Sequence, residues 1–499
     1  MTENIIKVND RLRKFFESGR RKPNGNGDGK SAEVRTEIER DFDRILFSTP
    51  VRRLADKTQV FPLDKNDSVR NRLTHSYEVS NLARSMGVAL TAESDHLFKG
   101  IEKSQRDVPA LLGAIGLVHD LGNPPFGHQG EAAIQSWFIE RRSQLKKLFV
   151  KKGVEADSSE EFEKLFRDFE LFEGNAQGFR LVTRLQILGD EYGLDLTYAT
   201  LAAMMKYPVA SSEVSKSSAA SKKHGFFHSE AQIADDVLKK VGLKRGCRHP
   251  MAYLMEACDD IAYVVLDAED SIKKGLASFS DLMVFLDKHK QDMCPLTERV
   301  VKQGLKKQDD YRKHGLSPAE LNDISMQRFR VFAISEMIHA ARVAFLKHKE
   351  SFFDGSQPKP LLEISDAETL RKALKEFSLK HGYQHKSVLS IELQGYNVIR
   401  NLMDMLWFGI DTMGGLPPAE QRKQHPFARY VYNRISENYR RVFDTALKET
   451  PSKFPRWYFK CLLLTDMVSG MTDSYAISLN DELNNLKGSL RFDRSDKHK

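Results

Sequence analysis

The stretch from Ile115 to Glu131 constrains the fold and chemistry of this chain more than any other segment. It reads IGLVHDLGNPPFGHQGE, and its apolar run ends at the adjacent His119 and Asp120. The Gly-Asn-Pro-Pro-Phe-Gly segment that follows predicts a turn, because proline and glycine interrupt a helix. His128 and Glu131 come directly after the turn. The pattern predicts a buried helix that ends at two candidate metal ligands, followed by a helix break and a second ionisable pair.

The adjacent histidine and aspartate also have a simpler explanation. His119 could cap the end of its own helix while Asp120 caps the start of the next. A metal site is favoured by the context, because the pair ends an apolar helix and unpaired charge is costly to bury. The pair alone leaves both interpretations open.

Residues 250–275 form a second informative segment, an apolar helix that carries several acids. Asp259, Tyr263 and Asp267 recur at every fourth position, which places them on one helical face. Buried carboxylates are paired or bind metal, so the alternatives are a ladder paired with arginines and a metal site. Asp260 points roughly 100° further round the helix. We therefore favour Asp259 as the residue that faces a site.

The remaining segments are also typical of helices, since they lack sustained period-2 alternation or an internal repeat. Residues 68–90 predict an amphipathic helix with Arg72 and His75 near its start, and Pro50 predicts the start of another. Residues 150–170 are highly charged and predict an exposed excursion. Residues 21–31 predict a flexible linker, and residues 209–229, rich in serine and lysine, predict a mobile basic loop. The predicted fold class is all-α.

Composition narrows the possible environments and partners. No apolar run approaches the roughly 20 residues that span a bilayer, and no signal peptide is evident. The 4 cysteines are scattered without a Cys-x-x-Cys pair, which fits a reducing cytoplasm. The net charge of +8 indicates an anionic partner, either a nucleotide or nucleic acid.

His75 in RLTHS, the pair in LVHDLGNPPFGH and Asp259 in DDIAY resemble the signature of HD-domain metallohydrolases. The chain is more specifically similar to bacterial deoxyguanosine triphosphate triphosphohydrolases (dGTPases). The similar segments are RRLADKTQVFPL, RLTHSYEV, HDLGNPPFGHQGE, FEGNAQGFR, ACDDIAY, ELQGY and SGMTDSYA. The resemblance implies a multi-helix HD-domain core with additional helical insertions. The expected domains are a basic helix and linker at 1–33, a catalytic core at 34–278, a helical insertion at 279–380, and C-terminal helices at 381–499 that complete the core and nucleotide pocket.

The resemblance also implies roles for particular residues. The implied metal ligands are His75, His119, Asp120 and Asp259. The implied catalytic pair is His128 and Glu131. A site of two histidines and two aspartates suits Mg²⁺ or Mn²⁺, and also Co²⁺ or Fe²⁺.

The remaining implied positions contact the substrate. Gln59 and Val60 match residues beside the deoxyribose, and Glu392 matches a residue that reads guanine. Tyr383 and Arg429 fall where a neighbouring subunit supplies pocket residues in the family. The other implied substrate-binding residues are Arg72, Asn175, Lys206, Tyr207, Tyr263 and Asp267.

The implied activity is hydrolysis of dGTP to deoxyguanosine and inorganic triphosphate, by attack of water on the α-phosphorus. The resemblance further implies a homo-oligomer, a hexamer, with single-stranded DNA as a modulator. Two alternatives stay open. One is an HD-domain phosphodiesterase or nucleotidase that acts on another nucleotide. The other is a single-stranded nucleic-acid-binding protein with a secondary hydrolase activity.

Overall fold

The computed structural model describes residues 11–23, 34–61, 69–94, 97–98, 101–150, 157–186, 190–288, 294–449 and 454–487. Within these ranges the chain forms helices and no β-strand, which confirms the all-α prediction. None of the helices in these ranges combines the length and hydropathy needed to cross a bilayer. The predicted linker at 21–31 lies outside the described residues from position 24 onward.

Between Glu37 and Lys273 the described residues form ten α-helices, which include the segments that the motifs predict. They are α1 Glu37–Leu46, α2 Thr49–Arg53, α3 Arg72–Glu93, α4 Ser104–Val118, α5 Gly127–Val150, α6 Asp157–Glu170, α7 Gly174–Arg180, α8 Tyr198–Met204, α9 Ala231–Lys240 and α10 Pro250–Lys273. Pro50 lies in the first turn of α2, as predicted.

The helices of the C-terminal half follow. They are α11 Phe279–Lys288, α12 Pro295–Arg312, α13 Pro318–Lys347, α14 Lys349–Asp354, α15 Glu368–Ser378, α16 Lys386–Met413, α17 Pro418–Gln421, α18 Pro426–Arg434, α19 Glu437–Lys448, α20 Arg456–Ser469 and α21 Asp473–Lys487. Short 3₁₀ or π turns at Leu54–Asp56, Leu181–Leu185, Ser211–Glu213, His228–Glu230, Leu362–Ile364 and Leu379–Tyr383 connect some of them.

The chain divides into two compact units. The first comprises residues up to Asn123 together with Glu173–Glu392, and the second comprises Pro124–Phe172 and the chain from Leu393 onward. The domain limits expected from the resemblance remain a prediction.

In the first unit, α10 is the central helix, with nearly every residue buried. Helices α3, α4, α13 and α15 pack around it. The α3–α4 contact is close because Gly116 has no side chain. A Cβ added at Gly116 would lie 2.8 Å from the Cα of Ser80 on α3. This close approach brings the end of α4 against the first half of α3.

The second unit has an aromatic core that includes residues of α6. Phe162, Leu165, Phe166 and Phe169 of this helix are buried. The prediction of an exposed excursion at 150–170 is therefore wrong for α6, because its apolar residues recur with helical period among the charges and form a buried stripe. Residues 151–156 of that prediction lie outside the described residues.

The serine- and lysine-rich segment at 209–229 belongs to the first unit and is folded against it. The backbone N–H of Ala219 donates to the carbonyl of Pro358 at 2.8 Å, and Ser215 N–H donates to Ser221 O at 2.8 Å. Phe226 and Phe227 are fully buried. The expected mobile loop is thus incorrect, since buried aromatics and backbone hydrogen bonds hold the segment in place.

Candidate metal and nucleotide site

Three helices of the first unit bring two histidines and one aspartate together. His75 lies in the first turn of α3, which Asn71 begins by accepting a hydrogen bond from the backbone of Thr74. His119 directly follows α4, and Asp259 lies midway along α10. The ligand atoms of these three residues all lie within 4.8 Å of one another. A divalent cation could be held by this set of two imidazoles and a carboxylate.

Both imidazoles face the same carboxylate oxygen. Oδ1 of Asp259 lies 3.2 Å from Nε2 of His75 and 3.4 Å from Nε2 of His119. Burial alone would raise the pKa of Asp259, but His119, His75 and Lys206 hold that pKa well below its usual range. The carboxylate therefore stays ionised and available to a cation.

The environment of His119 fits a metal ligand. Its Nδ1 donates to the carbonyl of Gly116 at 2.7 Å, which leaves Nε2 to point at Asp259. This buried Nε2 has no hydrogen-bond partner among the described residues. Burial lowers the pKa of His119, but the carboxylates of Asp120 and Asp259 outweigh burial and raise the pKa to about 9. Those negative charges favour a positive charge at this position. A bound metal cation would supply that charge in place of the proton on His119.

Asp120 adjoins this cluster but is engaged by other groups. Its Oδ2 accepts from Nη1 of Arg72 at 2.6 Å and lies 3.6 Å from Nε2 of His119, while Oδ1 accepts from Asn123 at 2.6 Å. Burial would raise the pKa of Asp120, yet Arg72 and the histidines lower it to about 2. The structure thus gathers three of the four predicted ligands and places the fourth beside them in an ion pair.

The turn after Asp120 packs against α7 through two glycines. A Cβ added at Gly122 would lie 2.1 Å from both the Gly174 carbonyl oxygen and the Gly178 nitrogen. Only glycine permits this approach. Asn175, which follows Gly174, donates to Glu173 at 2.6 Å. The EGNAQ motif therefore packs against the turn that follows Asp120, and Asn175 is the residue next to the contact at Gly174.

The predicted polar stripe on α10 is formed as the spacing indicated. Asp259 rather than Asp260 meets the histidines, which agrees with the helical geometry. Asp260 is half-buried, and the desolvation of its carboxyl raises its pKa to about 6 despite Lys206. Further along the stripe, Asp267 is buried and accepts a hydrogen bond from the hydroxyl of Tyr383.

Tyr383 lies beside this stripe in its own chain, where its ring stacks on Tyr263 with centroids 6.2 Å apart. The expectation that Tyr383 falls where a neighbouring subunit supplies pocket residues stays a prediction. The π turn at Leu379–Tyr383 directly extends α15, which packs against α10. The same chain therefore places Tyr263, Asp267 and Tyr383 together.

The ammonium group of Lys206 lies beside the other carboxylate oxygen of Asp259. Nζ of Lys206 is 3.6 Å from Oδ2 of Asp259 and 3.6 Å from Oε1 of Glu256. Burial lowers the pKa of Lys206, but the surrounding anionic groups raise it well above its usual value. Tyr207 is buried next to Lys206 in the chain.

Sequence reasoning missed Glu256 and its partner Arg248. Glu256 lies three residues before Asp259 on α10, and Arg248 is fully buried and donates to it. Helical spacing could have found Glu256, because a residue three positions before Asp259 lies on the same face as Tyr263 and Asp267. Arg248 precedes the helix and carried no such signal.

His128 and Glu131 belong to the second unit. They lie on the first turn of α5, where Nδ1 of His128 is 3.3 Å from Oε2 of Glu131. The His128 side chain is 84% exposed, whereas Glu131 is buried. The preceding turn has a positive φ of 60° at Phe126, whose N–H donates to Asp473 at 3.0 Å. The predicted pair is thus formed, with an exposed imidazole and a buried carboxylate.

The other predicted substrate residues lie on different elements of the chain. Gln59 and Val60 are half-buried. They follow Thr58, which pairs with Asn71 at the start of α3 in an isolated antiparallel β-bridge. Glu392 is half-buried on α16, in the first unit, and Arg429 is exposed on α18, in the second.

Comparison with known proteins agrees with this geometry. Residues 72–190 match the HD domain family. A deoxyguanosinetriphosphate triphosphohydrolase-like protein of Listeria innocua is 35% identical over 476 residues, which cover 95% of this chain and 99% of that protein. The deoxyguanosinetriphosphate triphosphohydrolase of Serratia proteamaculans is 32% identical, covering 89% of this chain and 93% of its own. A probable enzyme of that name from Pseudomonas aeruginosa is also 32% identical, over 88% and 91% of the two chains. The chain belongs to the deoxyguanosinetriphosphate triphosphohydrolase family of HD-domain hydrolases.

Proposed function

We propose that this protein hydrolyses dGTP to deoxyguanosine and inorganic triphosphate in a reaction that requires a divalent metal ion. The observation that carries the proposal is the convergence of His75, His119 and Asp259 within 4.8 Å, with the ammonium of Lys206 beside them. The choice of dGTP as the substrate rests on the names of the relatives. The cluster, as a donor set for a divalent cation, supplies the reason to expect a metal-dependent hydrolysis.

His75, His119 and Asp259 would hold the ion, with Asp120 as a fourth ligand. The unsatisfied Nε2 of His119 and the ionised carboxylate of Asp259 are donors that such an ion prefers. A divalent ion supplies Lewis-acid stabilisation of the charge on a phosphoryl group. Mg²⁺ or Mn²⁺ is the proposed ion, and Co²⁺ or Fe²⁺ would also suit this donor set.

Arg72, Lys206 and Tyr207 are proposed to bind the triphosphate. Arg72 uses Nη1 for Asp120, while its buried Nε has no hydrogen-bond partner among the described residues. Lys206 brings a second positive charge to the Asp259 carboxylate. Charge-assisted hydrogen bonds from such groups favour phosphate oxygens and fix the α-phosphorus for attack.

His128 is proposed to move a proton during the reaction, with Glu131 orienting its ring. The Glu131 carboxylate engages Nδ1 of His128, so the exposed imidazole presents Nε2 outward. An imidazole can both donate and accept a proton. As a general acid, His128 would protonate the departing 5′-oxygen, and as a base it would assist the attacking water.

Recognition of the nucleoside is proposed for the remaining residues. Tyr263, Asp267 and Tyr383 form one connected group, in which Asp267 accepts from the Tyr383 hydroxyl. This group would contact the substrate, while Gln59 and Val60 would lie beside the deoxyribose and Glu392 would read guanine. The full proposed set is Gln59, Val60, Asn175, Tyr263, Asp267, Tyr383, Glu392 and Arg429.

The decisive experiment incubates the protein with dGTP and Mn²⁺ and separates the products by ion chromatography. Inorganic triphosphate and deoxyguanosine in equal amounts are expected. Release of pyrophosphate or orthophosphate would contradict the proposal. A panel of deoxynucleoside triphosphates, nucleoside monophosphates and cyclic nucleotides would measure the preference for dGTP and expose a phosphodiesterase or nucleotidase.

A matched pair of variants tests the metal site. Asp259→Asn removes the carboxylate that both histidines face, and should abolish Mn²⁺ binding and hydrolysis. Asp260→Asn alters the adjacent residue, which lies outside the cluster, and should retain Mn²⁺ binding. Equal effects of the two variants would show that the cluster does not hold the ion.

The proposed assembly is a homo-oligomer, a hexamer, in the cytoplasm. Light scattering during size-exclusion chromatography measures its mass. Single-stranded DNA is the proposed modulator, on the basis of the resemblance and the net charge of +8. Its binding should weaken as salt increases, because phosphate contacts release counterions. Salt-independent binding would contradict an electrostatic mode.

A further inference from the structure

Glu256 is a buried carboxylate held in one place by a buried arginine. Arg248 donates from Nη1 to Glu256 and from Nη2 to the carbonyl of Ala219 at 2.8 Å. The Arg248 guanidinium lies over the rings of Tyr207 and Tyr253, at 5.6 and 4.7 Å from their centroids. These contacts leave Glu256 little freedom to move.

The ammonium of Lys206 is shared between Glu256 and Asp259. Its Nζ lies 3.6 Å from an oxygen of each carboxylate. The Asp259 oxygen that faces Lys206 is Oδ2, whereas Oδ1 faces the two histidines. Without the negative charge of Glu256, Asp259 would be the carboxylate left within ion-pair distance of Lys206 among the described residues, while Asp260 also attracts the ammonium from further away.

We propose that Glu256 is a positioning residue that draws Lys206 away from Asp259. Asp259 is thereby left to bind the metal ion, and the Lys206 ammonium is held ready for an anionic phosphate. The inference rests on the proposed role of Asp259 as a metal ligand. It assigns to the Arg248–Glu256 pair a function besides stabilising the core.

Mn²⁺ alone is the probe, added to the full-length protein without nucleotide and followed by calorimetry. Glu256→Gln should weaken Mn²⁺ binding by about 10- to 100-fold, the usual effect of losing a residue that orients metal ligands. Glu256→Asp keeps the charge and should restore most of the affinity. An unchanged Mn²⁺ affinity in folded Glu256→Gln would overturn the inference.

Lys206→Met tests whether the effect passes through the lysine. Removal of the competing ammonium should leave Mn²⁺ affinity equal to or higher than that of the parent. Glu256→Gln should then have no further effect in the Lys206→Met protein. A loss of the same size in both backgrounds would show that Glu256 acts by another route.

Glu269→Gln is the matched control for a purely structural effect. Glu269 is also a buried acid on α10, paired with Arg70 and Arg330. The Glu269→Gln protein should unfold at a lower temperature than the parent, with little change in its Mn²⁺ affinity. A comparable loss of Mn²⁺ affinity in Glu269→Gln would overturn the inference.

Two further outcomes separate this inference from the proposed function. If Glu256→Gln does not fold because Arg248 is left unpaired, Lys206→Met still decides the matter, since weaker Mn²⁺ binding in that variant contradicts the inference. If Asp259→Asn binds Mn²⁺ as the parent does, the proposed metal site itself is wrong. Loss of Mn²⁺ in Asp259→Asn with no loss in Glu256→Gln refutes the inference alone.

Discussion

Replacement of Gly122 by alanine should loosen the packing that holds the turn after Asp120. The new Cβ would lie 2.1 Å from the Gly174 carbonyl oxygen and 2.1 Å from the Gly178 nitrogen. Nonbonded atoms prefer roughly 3.5 Å, so relief of both 2.1 Å contacts requires α7 and the turn to separate by roughly 1.4 Å. Both obstacles are backbone atoms, which cannot relieve the overlap by changing a rotamer.

Overpacking in a well-packed region costs about 1–3 kcal/mol, and the backbone obstacles place this substitution near the upper end. The displaced turn also carries Asp120, so Mn²⁺ affinity should fall together with the unfolding temperature. Thermal unfolding and Mn²⁺ calorimetry measure the two effects on the same protein.

Gly178→Ala is the control from the opposite side of the same contact. Its Cβ would meet the Gly122 nitrogen at 3.5 Å, an ordinary contact. Since Gly178 lies within α7, alanine there gains up to about 1 kcal/mol in helix propensity. Gly178→Ala should therefore unfold at or above the parent's temperature. Equal destabilisation by both substitutions, or an unaffected Gly122→Ala protein, would refute the reasoning.

Three further predictions concern single side chains. Arg72→Met leaves the half-buried Asp120 without its arginine and should cost about 3–5 kcal/mol of unfolding free energy in metal-free protein, but less with saturating Mn²⁺. An equal loss in both conditions would argue against Asp120 as a ligand. His128→Asn should lower kcat for dGTP and leave Mn²⁺ affinity unchanged, and normal turnover would remove the proposed proton-transfer role. Burial lowers the pKa of His249 from 6.5 to about 4, so the unfolded state binds the proton first and stability falls as pH drops through that range. This contribution is about 3 kcal/mol, and denaturant unfolding of His249→Asn should lack it; identical pH dependence in parent and variant would contradict the assignment.

Much of the local structure could be predicted because it depends on residues within one or two turns. Proline and glycine predicted the break between α4 and α5, and α10 carries its polar stripe at the expected spacing. The prediction for the charged segment at α6 was wrong because it considered only the number of charged residues. The phenylalanines among them recur with the period of a helix, and this pattern predicts a buried face. The serine- and lysine-rich segment was misjudged because its hydrogen-bond partner, Pro358, lies far along the chain.

The sequence alone determined the helical class, the His119–Asp120 pair at the end of an apolar helix, and the preference for Asp259 over Asp260. These follow from helical geometry and from the cost of burying charge. The tertiary structure decided which groups meet. His75 and Asp259 are 184 residues apart, and their contact depends on how α3, α4 and α10 pack. The same packing turns Asp120 toward Arg72, seats Tyr383 on Tyr263 and places Glu256 beside Lys206, because long-range contacts arise from the fit of whole helices and leave no local pattern in the chain.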